Sequence, residues 1–292
     1  MSRFVFLTFN GLSYGAIYAA VALALVLIWR TTRVLNFSQG ALAMVSAYVA
    51  VAVSDASGSY WLGFLAALGS GIVFGALLQA TAFRGADRMP PLNTIVIGVG
   101  VLVALEAVVG MIFGVGYRDL PPSFGTDTFS VHGVALFSPQ DIFTVVSVLV
   151  LMTVLAALLT WTPSGLRMRA AAFAPEVARL LGVRVARMLT LGWALAGLVG
   201  ALAGMLVIPS GLGLFPQAMD GVFVIGFTAA VVGGLDSPVG AVVGGVVTGL
   251  VLSYVSGYLG SDLTPLAALV LLLVVLLARP SGLFSGTRAR QV

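Results

Sequence analysis

Long apolar segments alternate with short polar ones along almost the whole chain. Most of the apolar segments reach the length of about 20 residues that an α-helix needs to cross a bilayer. They occupy residues 9–29, 36–53, 60–83, 92–113, 141–161, 188–208, 239–256 and 265–278. A further apolar segment, 221–232, is too short to cross comfortably. The pattern predicts an all-α, polytopic integral membrane protein with about eight or nine membrane helices, of which the short ones are re-entrant or broken.

Composition agrees with a membrane protein and indicates one domain. The chain has 292 residues, of which 60% are hydrophobic and 8% charged, and its mean hydropathy is +1.13. A soluble domain would carry about 25% charged residues. Residues 1–292 are therefore interpreted as a single transmembrane domain. The apolar run after Arg3 lacks a small-residue cleavage site and is interpreted as a retained first span.

Residue types that the chain lacks exclude several kinds of chemistry. It has no cysteine, and its fourteen basic residues are all arginine. A Walker A loop needs a lysine on the ATP phosphates, so any ATP must be hydrolysed by another chain. The single His132 supplies neither a metal cluster nor a catalytic triad. We predict no enzyme activity, no catalytic residue, no metal site and no cofactor held by this chain, and no nucleic-acid binding.

One polar segment, 162–187, separates two of the predicted spans. It contains Glu176 and five arginines, at positions 167, 169, 179, 184 and 187. Pro175 suits a first helical position and Gly182 a left-handed stop, which predicts a helix of about two turns over 175–181. So short a helix is unstable alone, and its apolar side needs a partner surface. We interpret the segment as a docking surface for a cytosolic protein; the alternative is a basic loop that only marks the cytoplasmic face.

The charges also predict an orientation. If 162–187 is cytoplasmic, alternation of the spans places every arginine except Arg3 and Arg118 on the cytoplasmic side. Segment 114–140, rich in Gly, Pro, Asp and Ser, is then an external loop. The acids favour the outer face, with Asp220 among them. We predict an N-terminus outside and a C-terminus in the cytoplasm of a cell membrane.

Polar residues inside the spans are candidates for a solute path, because polar groups at membrane depth are costly. They are Asn10, Tyr14, Asn36, Ser38, Gln39 and Glu106. Each has a structural alternative: packing or an interface belt for the first two, capping and interhelical bonding for the next three, and a protonated or hydrogen-bonded carboxyl for Glu106. A weak internal repeat also pairs 36–41 with 236–241, each opening a small-residue helix, as broken helices do in transporter halves.

Five segments together carry a family resemblance. Residues 10–19 read NGLSYGAIYA and 36–40 read NFSQG. Residues 165–182 read GLRMRAAAFAPEVARLLG. Residues 229–241 read AAVVGGLDSPVGA, and 279–284 read RPSGLF. In this order and at these distances the chain resembles the permease subunits of branched-chain amino acid ABC importers, a family that also includes urea and short-amide permeases.

The resemblance implies a function and a set of partners. The chain would translocate branched-chain amino acids or similar small zwitterionic or neutral solutes inward. Its partners would be ABC ATPase subunits that use ATP and Mg²⁺, a second permease, an extracytoplasmic solute-binding protein and the lipid bilayer. The residues that match the family's coupling loop are Arg167, Arg169, Pro175, Glu176, Ala178, Arg179, Leu181 and Gly182.

Three positions depart from the family pattern. Ala174 replaces the usual Asn or Asp before Pro-Glu, so the short helix lacks a side-chain cap worth about 1 kcal/mol. Asp236 replaces a common Gly, which predicts a backbone that is not left-handed there. Glu106 stands near a family Gln. Two alternative functions remain open: a urea or short-amide ABC permease, and a proton-coupled secondary transporter that uses Glu106. A lone buried acid without a basic partner argues against the secondary transporter.

Overall fold

The computed structural model describes residues 2–85, 89–125, 127–131, 134–135 and 137–284. His132 and Arg88 lie outside the described residues, as does the tail that holds Arg288 and Arg290. The α-helices are α1 Ser2–Thr32, α2 Gln39–Ser57, α3 Tyr60–Ala80, α4 Pro91–Phe113, α5 Pro139–Trp161, α6 Pro163–Phe173, α7 Pro175–Leu180, α8 Val185–Val207, α9 Asp220–Gly233, α10 Pro238–Tyr258 and α11 Thr264–Ala278. Short 3₁₀ turns cover Ile208–Ser210 and Ser261–Leu263.

The prediction of an all-α polytopic membrane protein is confirmed. Within the part of the chain that the structure describes, eight helical segments are long and apolar enough to cross a membrane. The short segment is also found, because α9 has only 14 residues. The one β-pairing between named strands in the described residues joins β1 Ser130–Val131 to β2 Val134–Ala135, antiparallel, within the segment that links α4 to α5.

Two helices, α1 and α8, form the centre of the bundle, and glycines let their neighbours approach to backbone contact. In α1, Gly15 lies against the backbone of α10, and Gly249 of α10 lies against Gly15 in return. In α8, Gly197 meets Gly71 of α3, where a Cβ on either residue would overlap the other helix. Small residues drive helix association in lipid because closer backbones gain dispersion contacts. The remaining helices surround this centre, and α4, α5 and α11 expose most of their apolar side chains.

Helix ends use the caps that their sequences encode. The Ser138 side chain accepts a hydrogen bond from the Asp141 backbone, and Asp141 accepts one from the Ser138 backbone, a capping box that starts α5. The Thr162 hydroxyl caps α6 and the Ser237 hydroxyl caps α10. Asp236 is not left-handed, as predicted; the residue with positive φ in that turn is Gly234, at 102°.

The two ends of the bundle differ in charge. At one end lie the C-terminal ends of α1, α3, α5, α9 and α11 and the N-terminal ends of α8 and α10, with α6 and α7. We call it the basic end, because it holds the described arginines 30, 33, 84, 167, 169, 179, 184, 187 and 279. At the opposite end the Arg3 side chain donates to the Gly257 carbonyl, and Arg118 pairs through its backbone with Leu214.

Two helices, α2 and α9, start halfway through the bundle. The Gln39 amide at the start of α2 reaches the carbonyl of Ala196, which lies near the middle of α8. The start of α9 lies at the same level, because Gly40 contacts the carbonyl of Met219. The proposed repeat is therefore wrong in matching segment 236–241, which opens α10, to segment 36–41, which opens α2. Asp236 lies at the basic end, in an ion pair with Arg33, and the helix that shares the depth of α2 is α9.

Candidate functional site

The segment 162–187 folds as two short helices, α6 and α7, on the basic end. Gly165 lets α6 pack tightly against the last carbonyls of α5, because a Cβ added to Gly165 would lie only 2.5 Å from the Leu159 carbonyl oxygen. Ala171 of α6, Ala178 of α7 and Leu189 of α8 form a small apolar core. The predicted helix over 175–181 is observed as Pro175–Leu180, whereas α6 was not predicted.

The ends of α7 have the features that the sequence indicates. Ala174 stands at its N-cap without a side-chain hydrogen bond. Gly182 follows with φ of 80°, and the Val183 backbone then donates to the Ala178 carbonyl over 2.9 Å. A six-residue helix with an unsatisfied start is weak in isolation, so contacts with α6 and α8 must hold it.

Large apolar side chains of α6 and α7 point away from the rest of the chain. Phe173 is 91% exposed, Leu180 89% and Leu181 77%, and Val177 is exposed beside them. Ala178 is the buried residue of α7. We call the exposed set Phe173, Val177, Leu180 and Leu181 the apolar ridge. Around it, Glu176 and Arg179 form an exposed ion pair, and Arg167 is exposed on α6.

The polar residues at the break before α2 bond with one another and with α8. The Asn36 side-chain oxygen accepts from the Ser38 backbone over 3.1 Å and from the Ser38 hydroxyl over 2.6 Å. The Asn36 amide donates to the Gln39 oxygen over 3.2 Å, and Gln39 donates to the Ala196 carbonyl over 3.0 Å. All three side chains are buried. These contacts join the break to α8, which favours the alternative of interhelical bonding, whereas Ser38 at the N-cap of α2 makes no side-chain capping hydrogen bond. A role in solute passage stays a prediction.

Asn10 and Tyr14 of α1 also bond to neighbouring helices. The Ser253 hydroxyl of α10 is 3.3 Å from the Asn10 oxygen, and the Tyr14 hydroxyl donates to the Ser210 carbonyl over 3.2 Å. Between them along α1, the Ser13 hydroxyl donates to Asp141 over 2.7 Å. This part of α1 therefore joins α5, α8 and α10 near the opposite end of the bundle.

Glu106 is not a lone acid, contrary to the expectation from the sequence. Its carboxyl, on α4, lies close to the carboxyl of Asp220 at the first position of α9, with Gln217 nearby. One Glu106 oxygen is buried without a hydrogen-bond partner among the described residues. Asp220 thus lies at the depth of the two helix starts rather than at the outer face. Two such carboxyls repel when both are ionised.

The fold and these contacts can be compared with known proteins. The family model described as "Branched-chain amino acid transport system / permease component" matches residues 7–279. The chain belongs to this permease family. Among its relatives, the permease protein LivH of Salmonella typhimurium is 28% identical over 304 residues, covering 97% of this chain and 96% of LivH. BraD of Pseudomonas aeruginosa is 28% identical with the same coverages. A probable LivH of Methanocaldococcus jannaschii is 27% identical over 78% of this chain and 74% of its own.

The family assignment confirms the resemblance that the motifs indicated. These relatives are named as high-affinity or probable branched-chain amino acid transport permease proteins, and none is named as an enzyme. The structure brings Arg169, Pro175, Glu176 and the other residues of the predicted coupling loop together on α6 and α7. Within this permease, the contact between Glu106 and Asp220 is the feature that sequence reasoning missed. The sequence feature that could have indicated this contact is a second acid, Asp220, which directly precedes the short apolar segment 221–232.

Proposed function

We propose that this chain is the membrane-spanning permease subunit of an ABC importer that carries branched-chain amino acids into the cell. ATP would be hydrolysed by separate ATPase subunits, and an extracytoplasmic binding protein would deliver the solute. A second permease, identical or related, would complete the path. Membership of the permease family supports the transport role, and the names of its relatives support the choice of cargo.

The observation that carries the ATPase partnership is the apolar ridge of Phe173, Val177, Leu180 and Leu181. Four large apolar side chains on two short helices are exposed at the basic end. Their helices are too short and too polar to lie inside a bilayer. Contiguous apolar surface rimmed by charges marks a protein contact. A cytosolic subunit bound there would bury the ridge and use Glu176 and Arg179 for orientation.

The orientation follows from the same end of the molecule. The basic end would face the cytoplasm, because arginines are retained on that side. Chain alternation then places the N-terminus outside and Arg279 inside. The described arginines at the opposite end are Arg3 and Arg118.

A second function has one observation in its favour. The acid pair Glu106 and Asp220 could bind a proton at membrane depth, as a proton-coupled secondary transporter requires. Glu106 is thus not alone, but its neighbour is a second acid and not a basic partner. The family assignment and the apolar ridge, which such a carrier would not need, favour the ABC importer.

Co-purification with a matched control tests the proposal. Glu176→Arg combined with Arg179→Glu keeps an ion pair on α7 and reverses its polarity, so the fold of α7 should survive. Asp262→Arg, an exposed change at the opposite end, is the control. We expect an ATPase subunit to co-purify with wild type and control and to be lost with the double variant.

A transport assay tests the direction and the cargo. The wild-type complex in liposomes should take up leucine only with ATP. Solute uptake by the purified chain alone would refute the proposal. ATP-dependent uptake of urea but not of leucine would instead indicate a urea or short-amide permease.

A further inference from the structure

A cavity of about 360 Å³ opens at the basic end, between the end of α1 and the two helices α5 and α6. Arg30 and Arg33 at the end of α1 and Arg169 on α6 contribute the charged groups of its lining. Its apolar lining includes Leu159 from α5 and Ala172 from α6, with the buried side chains of Leu27 and Met168 behind them. The cavity therefore combines guanidinium groups with an apolar wall.

The cavity carries more positive charge than its surroundings neutralise. Asp236, the acid close by, is engaged by the Arg33 guanidinium and by the Trp29 indole nitrogen. Arg30 lies close enough to Asp236 to be attracted by it, and close enough to Arg169 and Arg33 to be repelled by both. Among the described residues, neither Arg30 nor Arg169 forms an ion pair. Three arginines against one acid leave a net positive charge, which favours an anion, and phosphate suits their planar donors.

The apolar wall indicates what kind of anion fits. Leu159 and Ala172, which are only half-buried, would face water beside a free phosphate, whereas an anion with a hydrocarbon chain would cover them. The wall lies near the ends of α1 and α5, and both helices are long and apolar enough to cross a membrane, which would place the wall at the level of the lipid headgroups. Phe173, at the edge of the cavity, is almost fully exposed. Basic pockets between membrane helices on the cytoplasmic side suit anionic lipid headgroups.

We propose that this cavity binds one anionic phospholipid, with the phosphate between Arg30 and Arg169 and the start of an acyl chain along Leu159 and Ala172. The lipid would join α1 to α6, the helix that leads into α7. This inference does not depend on which solute is transported. It requires only that the basic end meets a bilayer leaflet.

Lipid retention measured by native mass spectrometry tests the site. The full chain, with any subunits that co-purify, is titrated with phosphatidylglycerol and with phosphatidylcholine of the same acyl chains. We expect one phosphatidylglycerol retained per chain in preference to phosphatidylcholine. Arg30→Gln combined with Arg169→Gln should weaken this binding at least about tenfold, the equivalent of one lost charge-assisted contact. The control, Arg184→Gln combined with Arg187→Gln, removes the same charge from the same end outside the cavity.

A second variant separates a lipid site from a simple anion site. Ala172→Trp keeps all three arginines and fills the apolar part of the cavity that Ala172 lines. It should abolish phosphatidylglycerol retention, and a thermal unfolding scan checks that the chain remains folded. Equal retention of the two lipids, or unchanged retention in the Arg30 and Arg169 variant, would overturn the proposal. So would stabilisation by inorganic phosphate equal to that by phosphatidylglycerol, because the site would then need no hydrocarbon chain.

Discussion

Gly75 gives a sharp test of the contact between α3 and α8. A Cβ at this residue would overlap the carbonyl oxygen of Trp193, and ordinary contact begins near 3.4 Å. Gly75→Val must therefore push the two helices apart by on the order of 1 Å, which forfeits a quarter to a half of the dispersion attraction between facing atoms. One turn further along, the Thr190 hydroxyl donates to Gln79 over 2.7 Å, and this bond would stretch as well.

The magnitude follows from these two losses. Overpacking of a tight contact costs about 1–3 kcal/mol. An interhelical hydrogen bond in a membrane protein contributes about 0.6 kcal/mol. We expect Gly75→Val to destabilise the folded chain by about 2–4 kcal/mol, which lowers the unfolding midpoint by about 3–7 °C at the unfolding entropy of a chain of this size.

The control and the assay are both simple. Gly69 lies on the same helix, and a Cβ added there would meet no atom within 4 Å, so Gly69→Val makes the same chemical change without the contact. Thermal unfolding of both variants in one detergent, followed by tryptophan fluorescence, gives the difference directly. Helix propensity changes equally in the two variants and cancels. Equal midpoints would refute the reasoning, because they would mean that α3 and α8 do not touch at Gly75.

Three further predictions concern polar contacts, each measured by the same unfolding assay. Gln39→Leu should lower the unfolding midpoint, because it removes the amide that binds the start of α2 to the Ala196 carbonyl. An unchanged midpoint would mean that this hydrogen bond does not stabilise the fold. Ser138→Ala should cost about 1 kcal/mol by removing the capping box of α5, and a neutral result would mean that the cap is not formed in membrane or detergent. Glu106→Gln should raise the midpoint, since an amide can donate to Asp220 where a second carboxylate repels it. A lower midpoint would show that the two acids share a stabilising proton.

Much of the fold could be predicted from local patterns. The spans depend on runs of apolar residues, and these runs need no knowledge of their neighbours. The start of α7 at Pro175 and its left-handed stop at Gly182 could also be predicted locally, because proline and glycine act through their own backbone preferences. The first span was predicted too short, over 9–29, since the helix continues to Thr32 through polar residues that still satisfy their backbone groups.

The remaining features depend on contacts between distant parts of the chain. α6 was missed because its arginines and glycine give no apolar periodicity, and the helix forms around a cap at Thr162 and a close approach of Gly165 to α5. The pairing of α2 with α9 was missed because similar sequence at 236–241 suggested α10. Glu106 was taken as isolated because Asp220 lies 114 positions later, and only folding brings the two together.

The glycine contacts of α1 with α10 and of α3 with α8 have a mechanical consequence. Where backbones touch, no side chain stands between them to change rotamer, so one helix cannot slide past the other without breaking the contact. Each pair must move as a stiff unit. Displacement in this permease is therefore expected at the perimeter, where α4 and α5 expose most of their apolar side chains and are held less firmly than the central pairs.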